Sequence, residues 1–427
     1  MGMETSTQRR PACFVAALAL LLAACATTPT ESHPGTQPTP ITALPRALTA
    51  SEVKVRDASN AFAFALWGRV VAAQRDLNVF LSPLSASFAL GMTLNGAAGS
   101  TADQMRTALQ YGGATQAEIN GGYRSLVALL TSLDPTVEMR IANSVWYRQG
   151  FPFRQAFFDT TKKYFDAQVQ GLDFGNVPAS LATINGWVSD KTNGKIPTVL
   201  DAIQAQQVMF LINAIYFKGS WRAKFDPAQT AAASFTTAGG ATQPVQLMHQ
   251  LETIGYAEGD TYQVAELAYG NTAFVMTVLL PKAGTSVEAL AAALTPAVLQ
   301  AMASTVQQRK VDFFFPKLTM RYERKLNDDL KALGMVQPFV AGGADFTQMA
   351  PAPTGNELFI DFVKQNTFVD INEEGTEAAA ATSVGVGVTS MPSYPVMRVD
   401  HPYLVMLRER LTGTVLFLGK VTRMPTA

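Results

Sequence analysis

Apolar residues along this chain fall mostly into short continuous or alternating runs, with helical stripes fewer and earlier. Arg140 to Tyr147, Val208 to Phe217, Phe274 to Leu280, Val311 to Phe315, Phe359 to Ile371 and Thr414 to Val421 are rich in β-branched and aromatic residues. Turn residues separate them, so they read as strands. A helix is expected from Ser51, taken as its cap, with Phe62, Leu66 and Val70 on one face. Ser85 to Leu94 is apolar almost all round, the mark of a buried helix. Further helical stretches, Val287 to Met302 and Tyr322 to Leu333, lie among the later strands. No internal repeat and no second Pro/Gly/Ser linker interrupts residues 51–427, which therefore read as one mixed α+β domain.

The N-terminus has a different pattern. Arg9 and Arg10 precede an almost unbroken apolar run, Ala12 to Ala26, too short for a membrane span and suited to an export signal. It ends in Leu22-Ala23-Ala24-Cys25, which resembles the lipobox of bacterial lipoproteins. That resemblance implies removal of residues 1–24 and lipid attachment at Cys25. A plain secretory signal is the alternative, and the arginine pair hints at twin-arginine export. The expected location is the cell envelope, at the outer membrane or cell surface, with a periplasmic or secreted form as the alternative. Residues 25–50 are Thr- and Pro-rich without apolar periodicity and read as a tether. At ~3.1 Å per residue it reaches up to roughly 75 Å.

Composition removes several function classes. Of the 427 residues, 48% are hydrophobic and 15% charged, so the chain should fold. Lys+Arg and Asp+Glu are both 33, which leaves no long-range positive field for nucleic acid. The cysteines, Cys13 and Cys25, both lie near the N-terminus, so the body has no disulfide, thiolate nucleophile or thiolate metal site. Of the histidines, His33 is in the tether, and His249 and His401 have no metal-binding neighbour at helical spacing. Gly-x-Ser-x-Gly, P-loop and His-Glu-x-x-His patterns are absent, and no cofactor, metal or catalytic residue is expected. Ser51-Glu52-Val53-Lys54 fits the Ser-x-x-Lys of penicillin-recognising enzymes, with Tyr269-Gly270-Asn271 as a conceivable later motif. The Lys-Thr-Gly that should follow is missing.

The most informative stretch runs from Glu373 to Ser390. Read with period two, Thr376, Ala378, Ala380, Thr382, Val384, Val386 and Val388 share one face, while Glu377, Ala379, Ala381, Ser383, Gly385, Gly387 and Thr389 share the other. This describes a half-buried strand of about thirteen residues, directly after another strong strand. By composition alone an ordinary hairpin or a flexible alanine-rich loop is the favoured reading.

At this point the chain resembles the serpin family. Glu373, Glu374, Gly375, Thr376, Glu377, Ala378, Ala379, Ala380, Ala381 and Thr382 look like that family's hinge signature. Asn78-Val79-Phe80-Leu81-Ser82-Pro83-Leu84-Ser85, Asn185-Gly186-Trp187-Val188, Asn213 to Trp221, Asp400-His401-Pro402-Tyr403 and Gly413 to Val421 are similar to further family segments. The resemblance covers roughly Val53 to Met424. It implies the serpin fold with a reactive loop at about 373–395 and an inhibitor that is cleaved, holds its protease as an ester, and inserts the loop as a strand. It also implies a shutter at Ser82, Ser85 and Asn185, loop entry beside Trp221, and Gln365 where many members have a histidine. The family's usual spacing from the hinge implies a reactive bond at Thr389-Ser390, with Val388-Thr389 next; counting back from His401-Pro402 gives Met391-Pro392. With no Lys or Arg between Gly375 and Met397, the expected partner is an elastase-like or subtilisin-like serine protease, met by a monomer. A non-inhibitory binding protein of the same fold is the second reading.

Overall fold

A computed structural model describes residues 1–4, 39–376 and 394–425. Residues 38–427 form one compact unit and residues 1–37 another. Cys25, the loop residues Glu377, Ala378, Ala379, Ala380, Ala381 and Thr382, and the bond Thr389-Ser390 lie outside the described residues.

In chain order the first elements are α1 (Ala50–Ala73), β1 (Val79–Leu81), α2 (Pro83–Leu94), α3 (Gly99–Ala108), α4 (Gln116–Ser132), β2 (Val137–Arg148), α5 (Gln155–Phe165), β3 (Gln168–Leu172) and α6 (Val177–Lys191). Then follow β4 (Met209–Ser220), β5 (Ala231–Thr236), β6 (Thr242–Glu258), β7 (Tyr262–Ala268), β8 (Phe274–Pro281), α7 (Val287–Ala293) and α8 (Pro296–Thr305). The last are β9 (Gln307–Pro316), β10 (Leu318–Lys325), α9 (Asn327–Ala332), α10 (Thr354–Glu357), β11 (Lys364–Asn372), β12 (Gly375–Thr376), β13 (Val396–Arg398), β14 (Tyr403–Glu409) and β15 (Val415–Val421).

Two sheets organise them. One has six strands in the order β10-β11-β12-β4-β2-β3; the other runs β1-β15-β14-β8-β7-β6-β9-β13 with β5 beside β6. Alternation decides which face of the six-stranded sheet is buried where. Ile215, Phe217, Val369 and Ile371 join the main core with α1, α2 and the second sheet, whereas Phe210, Ile212 and Ala214 pack with Ile184, Trp187 and Val188 of α6 in a smaller cluster. Among the described residues no single helix is long and apolar enough to cross a membrane.

Several expectations need correction. The cap of α1 is Thr49, not Ser51: its hydroxyl accepts from Glu52 N at 3.2 Å while Glu52 accepts from Thr49 N at 2.7 Å, a reciprocal box that fits the Thr-x-x-Glu spacing. The segment expected to be a free tether already lies on the body before residue 50. Ile41 N donates to Asn271 O at 2.6 Å, and Arg46 makes a two-pronged contact with Glu52 at 2.5 and 2.7 Å. Val287 to Met302 is two helices, since Pro296 has no N–H to continue α7 and instead opens α8. Tyr322 to Leu333 begins as a strand: Leu318, Met320 and Tyr322 are buried with exposed residues between them, a period of two that wins over helix propensity. Phe359 to Val363 precede the strand that begins at Lys364.

Candidate functional site

The hinge residues enter the six-stranded sheet at one end. β11 finishes at Asn372, Glu373 and Glu374 make the turn, and Gly375-Thr376 run back between two strands. Thr376 lies opposite Ile371 on β11 and Gly219 on β4. Only glycine fits at 375, where φ is +151° and a Cβ would collide with the Gly219 carbonyl.

The turn is fastened on both sides. Glu373 accepts from Lys317 Nζ at 2.8 Å and Thr230 Oγ1 at 2.8 Å, and its carbonyl accepts from Phe225 N at 2.9 Å. Burial raises the pKa of this carboxyl, but the lysine and hydroxyl contacts outweigh that and hold it below the ordinary carboxylate range. Glu374 pairs with Lys224 Nζ at 2.5 Å, and its carbonyl accepts from Trp221 N at 2.8 Å. Trp221 Nε1 donates to Asn372 O at 2.9 Å, and the indole stacks on Tyr269 at 4.5 Å between centroids. Tyr269 OH meets Thr376 Oγ1 at 2.7 Å. Burial pushes the tyrosine well above its ordinary pKa, so the phenol stays protonated and available as a donor.

Past Thr376 the sheet changes character. Among the described residues β4 pairs only with β2 and β12, and β11 only with β10 and β12. From Lys218 and Asp370 onward their facing edges have no described strand between them. A cavity of about 200 Å³ lies there, reaching from Ala86 and Leu90 of α2, past Ile212 and Asn366, to Val188 of α6. A smaller one of about 30 Å³ touches Tyr216, Phe368 and Thr376.

Beneath this gap a polar network ties the two strands to α2. Gln365 Oε1 accepts from Ser82 N at 3.1 Å and its Nε2 donates to Ser82 O at 2.6 Å. Ser82 Oγ donates to Leu416 O at 2.9 Å, and Thr367 Oγ1 to Phe80 O at 2.5 Å. Ser85 Oγ donates to Asn213 Oδ1, Asn213 Nδ2 to Asn143 Oδ1 at 2.7 Å, and Asn143 Nδ2 to Phe165 O at 2.7 Å. The structure thus joins Gln365 to Ser82, and Ser85 to Asn213. Asn185 is a correction. It sits on α6, bonding Val199 N at 2.9 Å and Leu200 N at 3.0 Å, and stabilises the loop after that helix.

Sequence reasoning passed over Asn213, Asn143, Tyr269 and Lys317. For Asn213 a signal existed: a lone amide in the apolar run Phe210 to Phe217 must find a buried partner. Tyr269 was visible only as part of the enzyme-like Tyr-Gly-Asn pattern. That enzyme reading has no geometry here, since Lys54 Nζ is directed to Glu118 at 2.6 Å from within α1. His249 bonds Asp312 at 2.6 Å and stacks on Phe314, while His401 lies between Asp400 and Pro281 O, both at 3.0 Å. No group of three metal-binding side chains occurs among the described residues.

A sheet holding a two-residue hinge between strands that could admit a longer one defines a class of protein. The family model described as serpin, serine protease inhibitor, matches residues 57–424. Human neuroserpin is 32% identical over 367 residues, covering 83% of this chain and 88% of its own. Among solved structures, the thermophilic serpin tengpin in its native state superposes with a TM-score of 0.79 at 26% identity, covering 91% of this chain and 97% of that one. Human thyroxine-binding globulin complexed with thyroxine gives 0.79 at 28% identity, covering 88% and 100%. The chain belongs to the serpin family, and its fold is the serpin fold. The family is described by protease inhibition and not by turnover catalysis.

Proposed function

We propose that this chain is an inhibitory serpin, exported and tethered by a lipid on Cys25 to a bacterial envelope, that traps an elastase-like or subtilisin-like serine protease. The observation that carries the reading is Thr376 already seated between β4 and β11, with their facing edges unpartnered beyond it among the described residues. Extending that register by sequence sets Ala378 opposite Phe217 and Val369, Ala380 opposite Ile215 and Thr367, Thr382 opposite Asn213 and Gln365, and Val384 opposite Leu211 and Val363. The face of Thr376 turns inward to the main core, so the small residues enter first and the valines follow.

The chemistry is acyl transfer followed by strand addition. The protease serine oxygen attacks the Thr389 carbonyl, the Thr389–Ser390 amide bond breaks, the Ser390 amine leaves with the proton lost by the serine hydroxyl, and an ester joins the two proteins. The freed segment then gains ladder hydrogen bonds and buries valines worth roughly 1.5–3 kcal/mol each, carrying the protease with it. Displacing one oxyanion donor slows ester hydrolysis about a hundred- to a thousandfold.

The test mixes a chain starting after Cys25 with pancreatic elastase, subtilisin and trypsin, followed by denaturing gels and mass spectrometry. A covalent species at the summed mass and a released fragment beginning at Ser390 support the reading. Cleavage without adduct or gain in thermal stability favours a non-inhibitory binding protein, a reading supported by the similarity to a thyroxine complex. Labelling of intact cells with palmitate, abolished by Cys25→Ala, tests the anchor.

A further inference from the structure

The slot between β4 and β11 has walls of two kinds. Ala86 and Leu90 of α2 close it on the side of the main core, Val188 of α6 and Leu200 of the loop after that helix close it on the other, and Ile212 of β4 and Asn366 of β11 stand at its two edges. The walls above and below are aliphatic, while the sides are strand edges, which carry backbone N–H and C=O groups. Most buried polar side chains of the lining are bonded within the protein: Ser85 to Asn213, Gln365 to Ser82, and Thr93 Oγ1 to Ala89 O at 2.8 Å. Asn366 is the exception. Its Nδ2 donates to Thr198 O at 3.0 Å, which fixes the orientation of the amide because only the NH2 group can donate to a carbonyl, and its Oδ1 is buried with no partner among the described residues. An acceptor left in that state favours whatever brings it a donor. At the rim Lys364 pairs with Asp201 at 3.1 Å and Glu323 at 3.0 Å, Asp361 accepts from Gln207 at 2.5 Å, and Glu357 is exposed, so the surplus there is acidic.

We propose that this slot is a binding site for a small, neutral, planar aromatic molecule that carries an N–H or O–H donor in the plane of its ring, with Asn366 Oδ1 as the anchor. Flatness follows from the walls: the ring faces pack on the aliphatic side chains of α2 and of the α6 side, and the ring edge meets the strand edges. Neutrality follows from the rim, whose acidic surplus turns away an anion and whose carboxylates are engaged or exposed and so hold no cation inside. Size is set by the volume, about 200 Å³. An apolar cavity of roughly 150 Å³ takes benzene, so one ring or two fused rings fit here. A bound ring occupies the place between β4 and β11 that an added strand needs. This consequence, unlike the site itself, rests on the inhibitory reading above: the ligand stabilises the form without the added strand and slows insertion in proportion to its occupancy.

The probes are indole and indene, the second having the same fused-ring shape without the N–H. Calorimetric titration of wild type should show one saturable site for indole, with indene bound about fivefold more weakly. Asn366→Leu removes the acceptor at similar volume and should bring the two Kd values within about twofold of each other. Leu200→Trp fills the slot and should abolish binding of both, circular dichroism showing that each variant is folded. Absence of saturable indole binding by wild type up to the solubility limit overturns the site. So does indole binding unchanged in folded Leu200→Trp, or equal Kd values for indole and indene in wild type. The link to insertion is read separately: with indole at about ten times its Kd, the ratio of adduct to cleaved chain with subtilisin should fall about tenfold, with subtilisin activity on a peptide substrate in the same solution as control. An unchanged ratio overturns that link. If wild type forms no adduct even without indole, the inhibitory reading fails, and the titrations alone decide the site.

Discussion

On the proposed mechanism, Thr376→Arg perturbs the seat from which insertion must start. The Thr376 side chain is 5% exposed, its hydroxyl 2.7 Å from Tyr269 OH, and its backbone lies between Gly219 and Ile371. The partner of the Thr376 side chain among the described residues is the neutral Tyr269 phenol, and burying an unpaired charge there costs several kcal/mol. The native state can escape by withdrawing β12 from the sheet, giving up the Tyr269 hydrogen bond and its few ladder bonds at about 1 kcal/mol each. The inserted state has no such escape, because every residue after 376 must pass the same point. A net penalty of about 3 kcal/mol on insertion slows it roughly a hundredfold, while deacylation by the protease is untouched. Partition therefore moves from trap to substrate. With the proteases named above, gels should show the ratio of adduct to cleaved chain falling about a hundredfold from the wild-type ratio. Thr376→Ser keeps the hydroxyl and should stay close to wild type. An adduct-to-cleaved ratio for Thr376→Arg within twofold of wild type, read from the same gels, would refute the argument.

Gly375→Ala should also expel the hinge, because its methyl meets the Gly219 backbone carbonyl and no side-chain rotation relieves the clash; amide exchange at Gly219 and Ser220 should rise while the rest of β4 stays protected. Asn213→Ala removes the partner of Ser85 and frees Asn143, and should lower stability to urea by about 1–3 kcal/mol, whereas Asn185→Ala should leave strand insertion unaffected and loosen only the loop at 199–200. Glu52 is held at about 2, first by the Arg46 hydrogen bonds, against burial and with help from Ser125 and Thr49 N, so its folded pKa lies below the usual 4.5. A depressed carboxylate contributes stability present above 4.5 and lost as pH falls toward 2; acid unfolding followed by circular dichroism should therefore be shallower across that window in Glu52→Gln than in wild type.

How much of this could be read beforehand depended on whether the physics was local. The strands Val208 to Phe217 and Thr414 to Val421 were legible because buried β-branched runs need no context. The break at Pro296 was written in the sequence and overlooked, since the apolar spacing continues across it. Tyr322 to Leu333 misled because Leu326 and Leu330 do fit a helix, and only the pairing of Leu318 to Lys325 with β11 shows where the strand stops. In the site, Gly375 and Thr376 were readable as a hinge, but the fastening of Glu373 by Lys317 and of Thr376 by Tyr269 joins residues 56 and 107 positions apart. Asn185 and Asn213 illustrate the same limit. Both are asparagines in family-like segments, and burial under β4 as against a loop-holding role on α6 is decided by which helix or sheet each rides on.

These fastenings also explain why a half-entered hinge can be stable. Two lysines, Lys317 and Lys224, grip the carboxylates of Glu373 and Glu374, while Trp221 binds the carbonyls of Asn372 and Glu374 with its side chain and its backbone. The turn is thereby pinned at a fixed height, and β12 must hang from it in a single register. That pinning has two opposed effects. It commits the side-chain face of Thr376 to the core, so that any strand growing from it presents Ala378, Ala380 and Thr382 inward without a register search. It also keeps β4 and β11 apart at one end while Ser85-Asn213 and Gln365-Ser82 tie each strand separately to α2 and its cap. Among the described residues no hydrogen bond of this network runs directly from one strand to the other; each is held through Ser82 or Ser85, so widening the gap moves at least one strand against α2 and strains its tie. The price of opening is then that tie together with the apolar contact across the gap, where a cavity of about 200 Å³ already reduces what there is to lose.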